Sequence, residues 1–250
     1  YASWNWKANG AGSANTDGSI NSTVSVNQTA GFSIVKWTGT GSNATIGHGL
    51  GAVPQVVLIK ELNGTNNWLM SHQPLSASLG DYSRFITLNS TGAVSGAGNV
   101  VFQNSAFTSS VFNVGTSAGS NGSGQNFIAY CFAEKTGYSK FGTYTGNGNV
   151  DGPFVYTGFK PAFVLTKESS GTGHWRLRDN KRFDQTNPID KVLRPNTNEA
   201  EIDEDNTDFL SNGFKLRTTG GENNGSGDSY IYMAFGQSLV GSNNVPCTAR

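Results

Sequence analysis

An internal repeat constrains the fold of this 250-residue chain more than any other feature. Three pairs of segments are separated by the same 107 residues. They are residues 37–41 (WTGTG) and 144–148 (YTGNG), residues 54–60 (PQVVLIK) and 161–167 (PAFVLTK), and Trp68 and Trp175. Self-similarity at a fixed offset indicates that one structural unit is used twice. The sequence therefore predicts a tandem duplication, in which each copy of about 105 residues is large enough for its own core.

Each copy is predicted to consist of β-strands joined by turns. The run at 56–59 (VVLI) is too short for a helix and is rich in β-branched residues, which favour strands. Asn-Gly pairs recur along the chain and are strong hairpin signals. The clearest pair, Asn212-Gly213, separates 208–210 (DFL) from 214–217 (FKLR). It predicts a two-residue hairpin loop with a positive φ at both positions.

These patterns predict an all-β protein made of two tandem, similar β-sandwich lobes of jelly-roll-like form. Alternatively, the two copies form the two halves of one larger sandwich. Residues 1–30 have no counterpart in the second copy and are poor in large aliphatic side chains, so we expect an extended N-terminal arm or connector there. The predicted domains are the arm (1–30), the first β-sandwich repeat (31–136), the second β-sandwich repeat (137–240) and a C-terminal tail (241–250).

The charge balance narrows the expected partners. The chain has 17 basic residues (Lys and Arg) and 17 acidic ones (Asp and Glu). Nucleic-acid binders concentrate surplus basic residues on one face, so nucleic acid is not an expected partner. No apolar run approaches the roughly 18 residues that cross a bilayer, so no membrane insertion is expected. Up to Gly137 the chain has five basic and four acidic side chains. The neutral surface of the first copy suits carbohydrate or identical neighbours, or simply follows from its composition.

Four aromatic residues occupy equivalent positions in the two copies. They are Trp37 and Tyr144, and Trp68 and Trp175. Repeated aromatics of this kind most often anchor the core of each repeat. The competing hypothesis is a binding surface for sugar rings, whose apolar faces stack on Trp and Tyr.

Acidic side chains are concentrated in one run of the second copy. The run comprises Glu199, Glu201, Asp203, Glu204, Asp205 and Asp208. Such a run usually forms a solvated loop. Asp203, Asp205 and Asp208 are also candidate calcium ligands, since hard cations take several carboxylate oxygens from one flexible loop. A polysaccharide-degrading enzyme would use Asp203 or Asp205, because glycosidases need two facing carboxylates.

The remaining reactive residues predict no other metal site and no cofactor. His48, His72 and His174 lack metal-ligand spacing, and His48 lies between two glycines, where we interpret it as stabilising a turn. No P-loop or dinucleotide fingerprint is present, so no cofactor is expected. Cys131 lies in an apolar segment where a thiol acts as a small hydrophobe, and a disulfide with Cys247 is not expected.

Several segments resemble a domain of bacteriophage virion proteins. They are residues 4–8 (WNWKA), 17–20 (DGSI), 25–35 (SVNQTAGFSIV), 47–51 (GHGLG), 129–134 (AYCFAE), 208–215 (DFLSNGFK) and the ending 243–250 (NNVPCTAR). In that family the domain typically forms the C-terminal region of long tail-fibre-like or appendage proteins, especially in phages of marine bacteria and cyanobacteria. Residues 235–237 (FGQ) depart conservatively from the Phe-Ala-Glu that is usual there. The resemblance covers essentially the whole chain and brings no catalytic residues with it.

The resemblance implies a non-enzymatic structural protein of the virion, an extracellular particle. We expect a fibre or appendage domain that contacts the host surface, with a surface polysaccharide as the candidate ligand, or that assembles with copies of itself. Appendage proteins of this type are commonly trimers, so a homo-oligomer, with a trimer favoured, and contacts with other virion proteins are expected. Two alternatives stay open, namely a coat, decoration or filament subunit without a ligand of its own, and a polysaccharide-degrading enzyme.

Overall fold

The computed structural model describes residues 3–96, 98–182 and 187–236, and it divides into two compact units. The first unit comprises Trp4–Asn89 and Val94–Glu134, and the second consists mainly of the chain from Lys135 onward. The predicted all-β class is confirmed, since antiparallel strands build both units. In the described ranges, no helix has the length and apolar character that a membrane span requires.

The first unit is built around one large sheet. Its elements are β1 (Ser13–Asn15), β2 (Ser22–Asn27), β3 (Phe32–Thr38), β4 (Ala44–Gly47), β5 (Val56–Glu61), β6 (Leu69–His72), α1 (Gln73–Leu79), β7 (Ile86–Thr87), β8 (Val111–Val114), α2 (Ala118–Asn121) and β9 (Asn126–Phe132). Seven strands form an antiparallel sheet in the order β1-β2-β3-β9-β5-β6-β7, and β4 pairs with β8 in a separate ribbon. Along β3, buried and more exposed side chains alternate from Ile34 to Thr38, which is the period-2 pattern of a strand with one face in the core.

The core of the first unit lies between the large sheet and the small ribbon. The large sheet contributes alternate side chains of β3, β5 and β9, and the ribbon contributes side chains of β4 and β8. The buried residues include Val35, Trp37, Val57, Ile59, Phe127 and Ala129 on one side and Ile46, Phe112 and Val114 on the other. Each large apolar side chain buried in this way stabilises the fold by roughly 1.5–3 kcal/mol.

The second unit is a sandwich of two four-stranded sheets. Its elements are β10 (Ser139–Thr145), β11 (Phe154–Tyr156), β12 (Pro161–Glu168), β13 (Arg176–Asp179), β14 (Ile189–Val192), β15 (Ile202–Leu210), β16 (Gly213–Leu216), α3 (Gly221–Asn224) and β17 (Ser229–Gly236). The strand orders are β10-β17-β12-β13 and β11-β16-β15-β14. Both sheets contribute side chains to one core, namely Tyr144, Val164, Tyr230, Tyr232 and Ala234 from the first and Val155, Ile189, Phe209, Phe214 and Leu216 from the second.

The two units share one four-strand arrangement. The order β3-β9-β5-β6 in the first unit has the same form as β10-β17-β12-β13 in the second. The registers also correspond, because Ile59 pairs with Leu69 while Thr166, 107 residues after Ile59, pairs with Arg176.

The repeated glycines at 39 and 146 have the same function in both units. A Cβ at Gly39 would collide with the carbonyl oxygen of Gly122, and a Cβ at Gly146 would collide with that of Gly225. Only glycine permits such a close approach of two backbones. The predicted tandem duplication stays an interpretation of this correspondence between the units.

The N-terminal region differs from the predicted arm. Strands β1 and β2 extend the edge of the large sheet, where Ser25 pairs with Ile34 of β3. Val24 is buried in the core and Val26 packs against it, so this short segment has an apolar face despite its polar composition. Two valines spaced by two residues are enough to fix one face of a strand. The predicted tail, 241–250, lies outside the described residues.

The predicted hairpin between β15 and β16 is present, but its loop differs. Leu210 pairs with Gly213, so the two loop residues are Ser211 and Asn212. The predicted positive φ at Asn212 and Gly213 is wrong, since neither residue adopts it. Glycine is needed at 213 because a Cβ there would collide with the carbonyl oxygen of Val155 on the neighbouring strand β11.

Candidate functional site

Three of the four predicted sugar-binding aromatics are core residues. Trp37 is 3 % exposed and stacks on Phe127 at a centroid distance of 5.3 Å. Tyr144 is 9 % exposed and stacks on Tyr230 at 4.9 Å, and Trp175 is fully buried. Burial leaves these rings no face on which a sugar could stack, so the alternative interpretation, core anchors of each repeat, applies to them.

Trp68 lies in a different environment from its counterpart Trp175. It is half-buried, and its ring stacks on Tyr130 with centroids 6.2 Å apart. The two tryptophans share one kind of backbone contact. The N–H of Trp68 donates to Asn89 Oδ1, and the N–H of Trp175 donates to Asn196 Oδ1, both at 3.0 Å. The structure therefore leaves Trp68 as the partly accessible member of the predicted set.

The acidic run is part of a strand with ion pairs, and not a solvated loop. Its members on β15 and just before it face basic side chains of the same unit. The ion pairs are Glu199 with Arg194, Glu201 with Arg182, Asp203 with Lys191, Glu204 with Arg176 and Arg194, and Asp208 with Arg217. Two of the three predicted calcium ligands therefore form ion pairs, Asp203 with Lys191 and Asp208 with Arg217. The side chain of the third, Asp205, is not among the described side chains. Among the described side chains no three His, Cys, Asp or Glu residues are placed to hold a metal ion.

His48 and His72 stabilise local backbone structure. His48 is fully buried, its Nδ1 accepts from the Leu50 N–H at 3.2 Å, and its Nε2 donates to the Thr108 carbonyl at 3.2 Å. Burial lowers the pKa of His48 below 6.5, although the bond to Thr108 opposes this shift. The Nδ1 of His72 caps helix α1 by accepting from the Leu75 N–H. The contacts of His48 agree with its interpretation as a turn-stabilising residue.

Sequence reasoning missed a pair of lysines that close equivalent hairpins. Lys60 Nζ donates to the carbonyls of Glu61 and Gly64, at 2.7 and 3.0 Å. Lys167 makes the equivalent bonds to the carbonyls of Glu168 (2.5 Å) and Gly171 (3.5 Å). Burial lowers the pKa of Lys167 to about 8, with Glu168 and Glu222 opposing the shift. The Lys-Glu dipeptide at the same place in both copies was the available signal.

A polar pocket lies on the first unit, away from these structural contacts. It has a volume of about 210 Å³ and is lined by Asn43, Asn99, Gln103, Asn104 and Ser105. None of its lining side chains carries a formal charge at neutral pH. Sequence reasoning did not single out any of these residues, because isolated amides in a chain rich in Asn and Ser give no local signal.

Hydrogen bonds to the backbone fix the floor of the pocket. Gln103 Nε2 donates to the carbonyls of Ala44 and Val114, both at 3.0 Å. Asn99 Oδ1 accepts from the N–H of Asn104 at 2.8 Å. Asn99 has a φ of 58°, a left-handed conformation that asparagine adopts more readily than most residues.

Several polar groups of the pocket residues remain available to a ligand. Asn104 Oδ1 accepts from the Tyr82 N–H at 2.9 Å, but its Nδ2 has no partner within the described residues. Three further groups make no hydrogen bond within the described residues. They are the Oε1 of Gln103, the Nδ2 of Asn99 and the side-chain amide of Asn43. Amides supply both donors and acceptors, which match the hydroxyl groups of an uncharged polyol.

Comparison with known proteins places the chain in a family. No curated protein and no solved structure matches it. One family model matches residues 1–238, almost the whole chain. The chain therefore belongs to the family described as Domain of unknown function (DUF7483).

Proposed function

We propose that this chain is a non-enzymatic domain of a phage virion, part of a fibre or appendage that contacts glycans on the host surface. The amide-lined pocket of the first unit is the observation that carries this proposal. Its uncharged donors and acceptors suit sugar hydroxyls, and its volume of about 210 Å³ suits a single sugar residue at the end or side of a polysaccharide. The phage origin and the location in the virion rest on the sequence resemblance.

The way in which the fold uses its ionisable groups favours binding over catalysis. General acid–base catalysis needs a titratable group that can reach the substrate. Here His48 and His72 bond to the backbone, and Asp203, Glu204 and Asp208 pair with cations of the second unit. The pocket residues instead offer hydrogen bonds to neutral hydroxyls, which suits recognition. Each such bond contributes modestly, so attachment would need many copies of the domain.

The homo-oligomer, with a trimer favoured, and the contacts with other virion proteins form part of the proposal. Closed symmetry would give one appendage several copies of the pocket and so multiply a weak single-site affinity. Sedimentation equilibrium of the chain measures the copy number directly. A monomer at all concentrations would remove self-association of this domain from the proposal.

The test of glycan contact uses retention on envelope polysaccharides of marine bacteria and cyanobacteria. Wild-type protein should be retained, and Asn43→Ala should weaken retention roughly 2- to 10-fold, because it removes one hydrogen-bonding amide. Asn104→Asp should act similarly, since it keeps an oxygen for the Tyr82 N–H but replaces the free NH₂ donor. Asn21→Ala, an exposed asparagine outside the pocket, is the matched control.

The same experiment separates the alternatives. If wild-type protein is retained on none of these polysaccharides, the proposed host contact is overturned, and a coat, decoration or filament subunit becomes the better description. New reducing ends after incubation with polysaccharide would show the degrading enzyme instead, and loss of that activity in Asp203→Asn would locate it.

A further inference from the structure

The outer face of strand β11 exposes two aromatic rings. Phe154 is 45 % exposed and Tyr156 is 63 % exposed, whereas Val155 between them is buried in the core of the second unit. Because side chains alternate along a strand, both rings project from the same outer face. Positions two apart on a strand are about 7 Å apart. The two rings therefore form a short row on the surface of the sandwich.

Each ring of this row lies over a glycine. A Cβ added to Gly213 would lie 2.9 Å from Cε2 and Cζ of Phe154. A Cβ added to Gly158 would lie 3.6 Å from the Tyr156 hydroxyl and 3.8 Å from its ring. At Gly213 a Cβ would collide with the Phe154 ring, so only glycine lets this ring lie so close to the backbone. At Gly158 the Tyr156 ring lies at van der Waals distance, and the φ of 84° is what favours glycine there. Pairing an aromatic ring with a strand glycine, as Phe154 does with Gly213 of β16, is a known stabilising arrangement, and it also fixes the ring before any ligand binds.

The charged residues beside the row are paired with one another. Lys215, opposite Phe154 in the sheet, lies 2.8 Å from Asp151 and donates to the Gly152 carbonyl at 2.8 Å. Arg217 Nε donates to Asp208 at 2.6 Å. These pairs neutralise the surroundings of the rings, so the surface favours an uncharged ligand over an anionic polymer.

The size of the row argues against a second copy of the chain as its occupant. At the exposures given above, the two rings present roughly 200 Å² of surface. A standard stable protein interface needs about 800 Å² from each partner. Strand β11 also has only three residues, with Pro153 before it and Gly158 at a φ of 84° soon after it. So short an edge offers few backbone groups for pairing with another strand.

We infer that Phe154 and Tyr156 form a stacking site for a neutral saccharide, on which pyranose rings lie flat against the open sides of the two aromatics. Asn212 precedes Gly213, which pairs with Tyr156 in the sheet. The side-chain amide of Asn212 is exposed, makes no hydrogen bond within the described residues and can bond a sugar hydroxyl. This site lies on the second unit and goes beyond the proposed function, which rests on the pocket of the first unit.

The test titrates the full chain with cellohexaose and maltohexaose, monitored by calorimetry and by saturation-transfer NMR. Phe154→Ala and Tyr156→Ala should each weaken binding about 5- to 30-fold, the loss of one stacked ring. Tyr156→Phe restores the ring and should recover most of the affinity lost in Tyr156→Ala. Leu79→Ala, which shortens an apolar side chain of the first unit that is 48 % exposed, is the matched control and should bind as wild type.

Three outcomes would overturn the inference. One is unchanged affinity in the Phe154→Ala/Tyr156→Ala double variant when circular dichroism shows it folded. Another is tighter binding of dextran sulfate than of dextran, which would indicate an anionic ligand. The third is failure of wild-type protein to bind either hexasaccharide, together with a concentration-dependent dimer that the double variant loses, which would identify a second copy as the occupant.

These experiments can overturn the proposal for the pocket and the proposal for the ring site independently of each other. Retention on envelope polysaccharide that falls in Asn43→Ala, together with hexasaccharide affinity that is unchanged in the double ring variant, would leave the proposed function intact and overturn the ring site. Hexasaccharide binding that depends on the rings, without retention on any envelope polysaccharide, would support the ring site and overturn the proposed host contact.

Discussion

The two units use the same four-strand arrangement but fill it with different chemistry. At matching positions beside β5 and β12, the first unit has Leu69 and Ser71 where the second has Arg176 and Arg178. All four residues are buried. The sequence shows the same contrast, with nine charged side chains up to Gly137 and 25 after it. A sheet position thus accepts either a leucine or an arginine, provided that a buried charge finds partners of opposite sign.

The largest effect is expected where the second unit depends on a buried charge. Arg176 is 3 % exposed and pairs with Glu204 and Glu222. Replacing both glutamates by glutamine should lower the free energy of unfolding by about 3 kcal/mol, because the guanidinium loses its carboxylates while it stays buried. Arg176→Leu, which introduces the residue of the first unit, should cost only about 1 kcal/mol, since the glutamates can turn to solvent. Urea denaturation followed by tryptophan fluorescence measures both changes.

The paired glycines test whether the two units respond alike. Gly39→Ala and Gly146→Ala should each lower the free energy of unfolding by about 2 kcal/mol, because each Cβ meets a carbonyl oxygen that cannot move aside. Gly96→Ala in the first unit and Gly221→Ala in the second are controls, since a Cβ there meets nothing within 4 Å. Tolerance of only one of the two core substitutions would break the correspondence between the units.

At one matching position of the central strands β9 and β17, the first unit has Cys131 and the second has Ala234. Cys131 pairs with Val57, as Ala234 pairs with Val164 in the second unit. Cys131→Ala should therefore be accommodated at a cost of about 1 kcal/mol, measured by thermal denaturation. Burial raises the pKa of the Cys131 thiol to about 12, so iodoacetamide should not modify it in the native protein. Rapid alkylation at Cys131, mapped by mass spectrometry, would contradict its burial.

Acid should act on the second unit through Asp179. Burial raises the pKa of Asp179, but hydrogen bonds from Arg182 and from the Lys181 N–H outweigh it, so the pKa lies below 3.8. The ionised Asp179 carboxylate therefore stabilises the folded protein above about pH 3.8. This stabilisation is lost as the pH falls through the lower pKa that Asp179 has in the folded protein. Asp179→Asn should remove this dependence, and urea midpoints measured from pH 5 to pH 2 provide the check.

The first unit should respond to acid at a higher pH, through His48. Burial lowers the pKa of its imidazole in the folded protein, whereas the unfolded chain takes up a proton near pH 6.5. Stability should therefore fall as the pH drops below 6.5 and level off below the folded pKa. We expect this effect to be the smallest of the five. His48→Gln should abolish the slope between pH 7 and pH 5, and an unchanged slope would assign it to other groups.

Much of the architecture could be predicted from local patterns. The run at 56–59 forms β5, and its repeat lies in β12, because a β-branched run bounded by turns has few alternatives to a strand. The hairpin after Leu210 is present because an Asn-Gly pair between two apolar segments is a strong hairpin signal. Its loop shifted by one residue because the fit of Gly213 against β11, a contact distant in sequence, decides where glycine is needed.

The candidate sites were less predictable, because burial depends on the whole fold. Trp37 and Trp68 look equivalent in sequence, yet one lies in the core and the other is half-buried. The exposed rings of β11 were not singled out, since Phe154 and Tyr156 alternate with Val155 as in any strand and only the position of the sheet shows which face is open. In the pocket, Asn43 meets Asn99 and residues 103–105 only in three dimensions, since about 60 residues separate Asn43 from Gln103 along the chain.

By itself the sequence determined the strand class, the repeated segments and the neutral character of the first copy, because periodicity, turn residues and charge are local or additive properties. Tertiary structure alone decided which aromatics became core, which acids found arginine partners and which glycines support a ring. Those outcomes depend on contacts between residues far apart in the chain, and no pattern along the chain records such distances.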